Sequence, residues 1–583
     1  MISSPTTIVR GSDQKREPSA ARTMGTSMLR FLGVFALFAA VTVAFFWRWM
    51  PHLDAALIGP PGDNVQDFWN TWYTVFAHKP GSFWFTRLLR FPEGTTLLYH
   101  SFAYPQVFAL ALISRAFGLG PPTLLLQQNL SLLISFPLAA TGAFYLVRHF
   151  VCNTPAALLG GFVFAFNPSH IEHVMEHAHV SQIEFIPFFV LAFLLTIEKR
   201  SIAWLSFSIL LFALNALSCW YYLFYLTYFV IFHTLYVAVH ERALPRGWQL
   251  LAPAGSLAGV VILLSPMLLP MLRIGVSGAP IYLSGSDKYV ADLAAYFAFP
   301  PFHALGALSA AIYRSIIVNS GSNEWEATVY LGLINLALLA WLCIKRWREE
   351  RPLLAYLLTG MAVFCVFASG DTLHLLGHRM HGLIRMPDTL LSHLPFVRDV
   401  RGVSRAIVFV YLFLAIGVAL AIARVWERAS RPMGRWAVVI LALLIVADFL
   451  PARPLPMTAV TCSRGLALIR DDPEAGFGVL DLPVTGYEAN NVYMTQEVCH
   501  GRPITGGITA RDLVISLRDR LATRDLQAQR RQLMSAHVKY IVLNRRPMGI
   551  ALPWPAQDGS PQAYESFYRV VYAGPDLTVL RVY

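Results

Sequence analysis

The chain has 583 residues, is 56% hydrophobic and only 14% charged, with a mean hydropathy of +0.52. Soluble domains run about 45–50% apolar and about 25% charged, so this composition excludes a cytosolic protein and assigns the apolar excess to lipid. The formal charge of +12 would raise nucleic acid as a partner in a soluble protein. Here it is expected on loops at the cytoplasmic face, and no nucleic-acid partner is expected.

Residues 1–30 form a basic tail, too long and polar for a signal peptide, so the first apolar run is expected as an uncleaved span. Spans of about 20 apolar residues are expected at 31–50, 123–147, 155–167, 183–197, 202–219, 220–239, 250–272, 327–344, 353–370, 405–423 and 436–450. Arg148, Lys199, Arg200, Arg242, Arg246, Lys345 to Arg351 and Arg424 to Arg435 all fall on one side of this count. That side is the cytoplasmic one. The segment 102–117, interrupted by Arg115, is expected to lie in the outer leaflet rather than cross. Loops 51–122, 168–182, 273–326 and 371–404 are then outside, as is the tail 451–583. Strands are expected in the tail at 477–484 and 538–544, with a hairpin over 567–583 around Gly574-Pro575-Asp576. A helix is expected within 511–538. Cys462 and Cys499 share this tail and can pair in an oxidising compartment; spacing leaves open whether they meet.

Three outer clusters carry candidate chemistry. The first loop opens Gly-Pro-Pro-Gly62-Asp63, then Asp67, Phe68, Trp69, Trp72 and Tyr73. Asp63 either caps the helix that starts there or acts on a substrate at the lipid–water boundary, where the aromatics are expected to sit. The second loop places His170, Glu172, His173, Glu176, His177 and His179 within ten positions. These either cap helix ends or bind substrate or metal. His173, Glu176, His177 and His179 are the candidate ligands of a divalent metal ion, and His173-x-x-Glu176-His177 matches an inverted zinc-site pattern. A protease reading is set aside, since a five-residue match is weak. The third cluster, Arg398, Arg401 and Arg405, follows i, i+3, i+7 and is expected on one helical face. Three guanidiniums at a span mouth suit phosphate; pairing with Asp388 and Asp399, or with lipid headgroups, is the alternative. In the tail, 496–511 with His500 and Arg502 is expected as a structured loop. The sequence carries no nucleotide-binding glycine motif, nucleophile elbow or Cys-x-x-Cys pair.

Several of these runs together resemble bacterial YfhO-like membrane proteins. They are Gly62-Asp63 with Trp69 and Trp72, Phe91-Pro92-Glu-Gly94, Phe164-Ala-Phe-Asn167-Pro168 with His177, and Leu394-Pro395 with Arg401 and Arg405. In the tail they are Leu482-Pro483, Gln496, His500-Gly501-Arg502-Pro503, Gly506-Gly507 and Arg511. Such proteins are similar to the GT-C class of glycosyltransferases. The apolar runs and the Lys/Arg bias give a mainly α polytopic fold of eleven transmembrane helices, N-in and C-out, which the resemblance makes GT-C-like. Residues 31–450 would form the GT-C-like domain and 451–583 a small extracytoplasmic α/β domain. It implies a bacterial inner-membrane enzyme moving sugar from a polyprenyl-phosphate donor to a cell-envelope glycan, lipid or protein, with inversion. Asp63 would be the catalytic base, its pKa raised by partial burial beside Trp69 and Trp72. Asp67, Trp69, Glu172, His177, Arg398, Arg401, Arg405, His500 and Arg502 would bind substrate. A transporter or flippase and a non-catalytic assembly protein are the competing classes.

Overall fold

A computed structural model describes residues 20–78, 83–276, 288–380, 400–428, 431–484, 487–509, 514–546 and 559–583, together with single positions 386, 389 and 554. The helices in chain order begin with α1 (Ala20–Phe45), α2 (Asp63–Trp72), α3 (Tyr104–Phe117), α4 (Leu124–Phe150) and α5 (Thr154–Ala165). The connection after α5 contains α6 (Pro168–Glu176) and α7 (Ala178–Ser181), and α8 (Phe185–Lys199), α9 (Ile202–Ser218), α10 (Trp220–Glu241) and α11 (Trp248–Val276) follow. Next come α12 (Gly306–Ser320), α13 (Glu324–Ala327), α14 (Leu333–Ala368), α15 (Ile407–Arg428) and α16 (Arg431–Phe449). Among the described residues, seven helical segments are long and apolar enough to cross a membrane, and α5 and α9 are shorter apolar helices. This is a multi-pass membrane protein.

The bundle is organised around α15, which is apolar on every side and buried along its whole membrane-length window, as a helix without a polar face must be. The segment α14 is helical throughout its 36 residues. A straight helix would put Leu339 and Leu357 about 27 Å apart, yet both come within 3.9 Å of the position a Cβ would take on Gly417 of α15. Phe364 stacks on Phe409 with ring centroids 4.4 Å apart, further up the same helix. The segment therefore folds back on itself between these two leucines, in the stretch that contains Pro352, whose missing N–H breaks the helical ladder. The 14-residue α3 is about 21 Å long, short of the roughly 30 Å of a hydrocarbon core.

The tail holds β6 (Met457–Ala459) and β7 to β10, after five short strands earlier in the chain: β1 (Ala56–Ile58), β2 (Phe85–Thr86), β3 (Thr95–Thr96), β4 (His374–Leu375) and β5 (His378–Arg379). Strands β7 (Gly478–Leu482), β8 (Val538–Asn544), β9 (Arg569–Ala573) and β10 (Leu577–Arg581) form one sheet in the order β7-β8-β10-β9. β7 and β8 are parallel and the other pairs antiparallel. All seven residues of β8 are buried, alternating between two cores: Tyr540 and Val542 face one, Ile541 and Leu543 the other. Helices α17 (Arg464–Arg470), α18 (Tyr487–His500), α19 (Leu526–Ser535) and α20 (Pro561–Phe567) complete the tail.

Two expectations need correction here. The stretch 496–511 is not all loop, because Gln496 to His500 form the end of α18 and the chain turns only at Gly501, with φ +66°. Among the described residues, the α-helix expected within 511–538 is confined to α19, where Asp525 accepts from the Ala528 N–H as its cap. The tail also packs against the first loop of 31–450. β1 pairs antiparallel with β6, Leu57 opposite Thr458, and Val65, Phe68, Trp69 and Leu89 share one core with Phe477, Val492 and Val542. Cys462 and Cys499 are disulfide-bonded, with Cα atoms 5.5 Å apart.

Candidate functional site at the mouth of the bundle

Asp63 is the first residue of α2, and the cap position belongs to Gly62. The Asp63 carboxylate makes no capping bond, so the cap reading fails. Glu176 takes that role: its Oε1 accepts the Asp63 N–H at 3.3 Å, placing negative charge at the positive end of the helix. A Cβ on Gly62 would run into that carboxylate, so a larger residue there would make the Glu176 side chain shift. The Asp63 side chain is thereby free to turn toward the bundle. Its Oδ2 lies 3.5 Å from His177 Nε2, and its Oδ1 accepts from Asn491 Nδ2 of α18 at 3.3 Å. Asp63 keeps a quarter of its side-chain surface exposed. Burial, then the nearby Asp67 charge, raise its pKa above the usual aspartate value, against the hydrogen bond from Asn491 and the charges of His179 and Arg405.

His177 bridges Asp63 to a residue the sequence reading missed. Its Nε2 is 4.0 Å from Glu326 Oε1. Glu326 in turn accepts from Ser404 Oγ at 2.8 Å and from Arg405 Nε at 2.9 Å, with a second bond from Arg405 Nη2. The Arg405 guanidinium lies over the Tyr221 ring, 4.6 Å from its centroid. Burial alone would push Glu326 up, but Arg405, His173 and His177 hold its carboxyl far below the usual range. Burial and then Arg405 push His177 well below the ordinary imidazole value, and His173 is pushed down to about 3 chiefly by burial. Both histidines are therefore neutral. The signal for Glu326 was present as Asn323-Glu324-Trp325-Glu326 between two apolar helices: Asn323 Oδ1 accepts the Glu326 N–H at 2.9 Å and starts α13. Only the partner of a buried arginine could have singled it out.

The other expected site residues divide. Asp67 is one turn below Asp63. Its Oδ2 accepts the Ala178 N–H at 2.8 Å and its Oδ1 lies 3.8 Å from His179 Nδ1, tying α2 to α7. Glu172 is buried beneath the site, and burial, then Glu324 and Glu176, raise its pKa well above the usual value. Trp69, expected at the lipid boundary, is instead wholly buried. It stacks on Tyr73 with centroids 5.0 Å apart and donates from Nε1 to Glu497 Oε2 at 2.8 Å. Phe68, Trp72 and Tyr73 are buried with it, because the tail covers the face that would have met lipid.

The arginine cluster also differs from expectation. Residue 402 makes an isolated bridge with Tyr289, and Arg405 stands in a 3-10 turn from Val403 to Ala406, so no helical face joins Arg401 to Arg405. Arg401 is half-buried and makes no ion pair among the described residues. Arg398, with Asp388 and Asp399, lies outside the described residues, as do Leu394, Pro395 and Arg511. In the tail, Arg502 donates to the carbonyl oxygens of Arg470 (3.1 Å) and Asp472, and lies over Phe477. His500 Nδ1 accepts the Arg502 N–H at 3.0 Å. These two hold the tail's own turns, while Asn491, two and a half turns earlier on α18, reaches Asp63.

His173, His177 and Glu326 each offer one donor atom, all within 4.8 Å of one another, in a wholly buried group. Two neutral imidazoles and a carboxylate fit a divalent transition metal, although Glu326 is also engaged by Arg405. The four-residue set expected from the sequence does not assemble: Glu176 faces the start of α2, and His179 faces Asp67.

What the fold and site define is a polytopic membrane protein with a buried acid–histidine–arginine centre roofed by its own C-terminal tail. Residues 30–449 match the family described as a domain of unknown function, DUF6311, and the chain belongs to that family. A comparison with curated proteins finds no match. Among solved structures, the chain is similar to the oligosaccharyltransferase of Archaeoglobus fulgidus in its apo form, with a TM-score of 0.48 and 14% identity over 92% of this chain and 72% of that one. It is similar to the same archaeal enzyme, AglB, with an inhibitory peptide and dolichol-phosphate (TM-score 0.46, 13% identity, 93% and 72% covered). It is also similar to ArnT from Cupriavidus metallidurans bound to undecaprenyl phosphate (TM-score 0.46, 11% identity, 94% and 98% covered).

Proposed function

We propose that this protein is a GT-C-like membrane glycosyltransferase that moves a sugar from a polyprenyl-phosphate donor to a cell-envelope acceptor. The eleven-span, N-in and C-out topology puts the Asp63 site on the extracytoplasmic side of a bacterial inner membrane. The observation that carries the reading is that Asp63, His177, Glu326, Arg405 and Asn491, from four outer segments and the tail, meet at one mouth of the bundle.

In this mechanism the acceptor hydroxyl attacks the anomeric carbon, the C–O bond to the lipid phosphate breaks on the opposite face, and the configuration inverts. The part-exposed Asp63 takes the acceptor proton as the new bond forms. A carboxylate with a raised pKa is a better base than an ordinary aspartate, and a positioned base contributes about 10²–10⁴-fold. His177, neutral and held between two carboxylates, orients Asp63. Arg405 stabilises the charge growing on the leaving phosphate, exchanging part of its bond to Glu326 for the phosphate oxygens. A divalent ion held by His173, His177 and Glu326 would supply Lewis acidity at the same phosphate.

The test is release of polyprenyl phosphate from labelled polyprenyl-phosphate sugars by membranes carrying wild type or Asp63→Asn, with envelope extract as acceptor. Release by wild type, reduced at least 100-fold in Asp63→Asn at unchanged detergent stability, is the expected result. Equal release by both proteins would remove Asp63 from catalysis.

A further inference from the structure

Where α1 and α16 leave the bundle, at the end that carries Asp63, the turn after Phe45 and the chain after Phe449 enclose a cavity of about 260 Å³. Phe46 and Trp49, both buried and stacked with centroids 4.7 Å apart, line it. Its two sides are tied together across 404 and 406 positions: Arg48 Nη1 donates to the Ala452 carbonyl at 3.4 Å, and Trp49 Nε1 to that of Leu455 at 3.3 Å. The Ala452 and Arg453 N–H groups both bond the Phe302 carbonyl, which fixes the second side through its backbone.

Two cations, Arg48 and Arg453, line this one cavity, and no carboxylate does. Both are exposed, and neither forms an ion pair among the described residues. Arg48 uses one of its five N–H groups on Ala452 and lies over the exposed Trp47 ring, 5.4 Å from its centroid. Like charges on one small cavity repel, a shared anion removes that repulsion, and two guanidinium forks match the oxygens of a phosphate. The surrounding surface shows what carries the anion. Val43, one turn before Trp47, is exposed, as are Leu443, Leu444 and Leu450 on and just after α16. Apolar surface thus runs up α1, a membrane-length span, and α16 to the cavity, with an exposed tryptophan at its edge. That is the depth of lipid headgroups, where cations near helix ends meet anionic lipid.

We propose that this cavity binds the phosphate of a membrane phospholipid between the Arg48 and Arg453 guanidiniums, with the acyl chains on the apolar surface of α1 and α16. The cavity shares no residue with the Asp63 centre, and lipid binding there does not depend on sugar transfer being the activity.

The experiment is native mass spectrometry of the full chain in detergent, titrated with dioleoyl phosphatidylglycerol, with dioleoylglycerol, which lacks the phosphate, or with inorganic phosphate. Wild type should hold one phosphatidylglycerol more than Arg48→Gln/Arg453→Gln, and hold it about 10-fold more tightly than dioleoylglycerol, as one charge-assisted bond to phosphate allows. Arg273→Gln/Arg314→Gln removes the same charge from α11 and α12, at two exposed positions, and should bind as wild type does. Ala44→Trp fills the cavity with both guanidiniums kept, and should lose the same lipid at an unchanged melting temperature. Equal loss in the two arginine pairs would mean that net charge alone draws the lipid. Unchanged binding in Arg48→Gln/Arg453→Gln or in a folded Ala44→Trp would place the phosphate elsewhere. Either result overturns the proposal. Inorganic phosphate held by wild type and lost in Arg48→Gln/Arg453→Gln, with no preference between the two lipids, would assign the site to a free anion and overturn the lipid. Should Ala44→Trp not fold, the comparison of the two arginine pairs decides alone.

Discussion

At the scale of single residues, the site depends on charges that compensate one another. Asp63 carries a raised pKa, so as pH falls its base form is lost earlier than an ordinary aspartate's would be. The acid limb of the transfer rate should therefore lie above the usual aspartate value of 3.8. Asn491 lowers that pKa through its hydrogen bond, and Asn491→Leu should move the acid limb further up while leaving a measurable rate at its plateau. A pH–rate profile identical to wild type would show that the bond does not reach the base. Glu326 and Arg405 make a second dependence. Both are at least nine-tenths buried, and Glu326→Gln strands a buried guanidinium, at a cost of about 3–5 kcal/mol. Glu326→Gln/Arg405→Met removes both charges and should recover most of that stability in a thermal melt without recovering activity. Equal destabilisation by the single and double variants would argue that the pair is not the cause.

At the scale of elements, α18 is the part the sequence concealed. Its residues 487–500 mix Asn, Gln, Glu and His with Tyr, Val and Met, and no apolar stripe stands out, because both its faces are buried: Asn491 and Glu497 against α2, Tyr493 and Val492 in the core. The apolar spans were legible because lipid demands long uninterrupted runs, and β8 was legible because a strand buried on both sides is apolar throughout. Asp63 and His177 stood out as polar groups at span mouths. Glu326 and Asn491 did not, since nothing local distinguishes a carboxylate or amide whose partner lies 79 or 428 positions away. The same burial gives the tail, at α18 and β7, a pH dependence. Burial raises the pKa of Glu497 well above the ordinary value and pushes Asp481 up to about 8. Folded pKa values raised above unfolded ones give stability that is full below the unfolded carboxyl range and is lost as pH rises toward the folded values. The melting temperature of the tail should thus fall between about pH 5 and 8. Asp481→Asn/Glu497→Gln should flatten that dependence, and a wild-type melt independent of pH over this range would refute it.

At the scale of the whole molecule, the loop 51–122 and the tail are one unit made from two distant stretches. Cutting the chain at residue 450 removes β6, the partner of β1, and uncovers Val65, Phe68 and Trp69. Limited proteolysis of such a truncated chain should cut within 51–122 at least 10-fold faster than in the full chain, and equal rates would mean that the loop folds without the tail. The β1–β6 pairing also has a consequence in time. A chain made from its N-terminus inserts its spans as they emerge, so Asp63 reaches its side of the membrane some 400 residues before Ala459 and Asn491 exist. Throughout that interval the loop has no second strand and Asp63 has no amide beside it. Competence is the last property this chain acquires, and a ribosome that stalls late leaves in the membrane a finished bundle with an unfinished site.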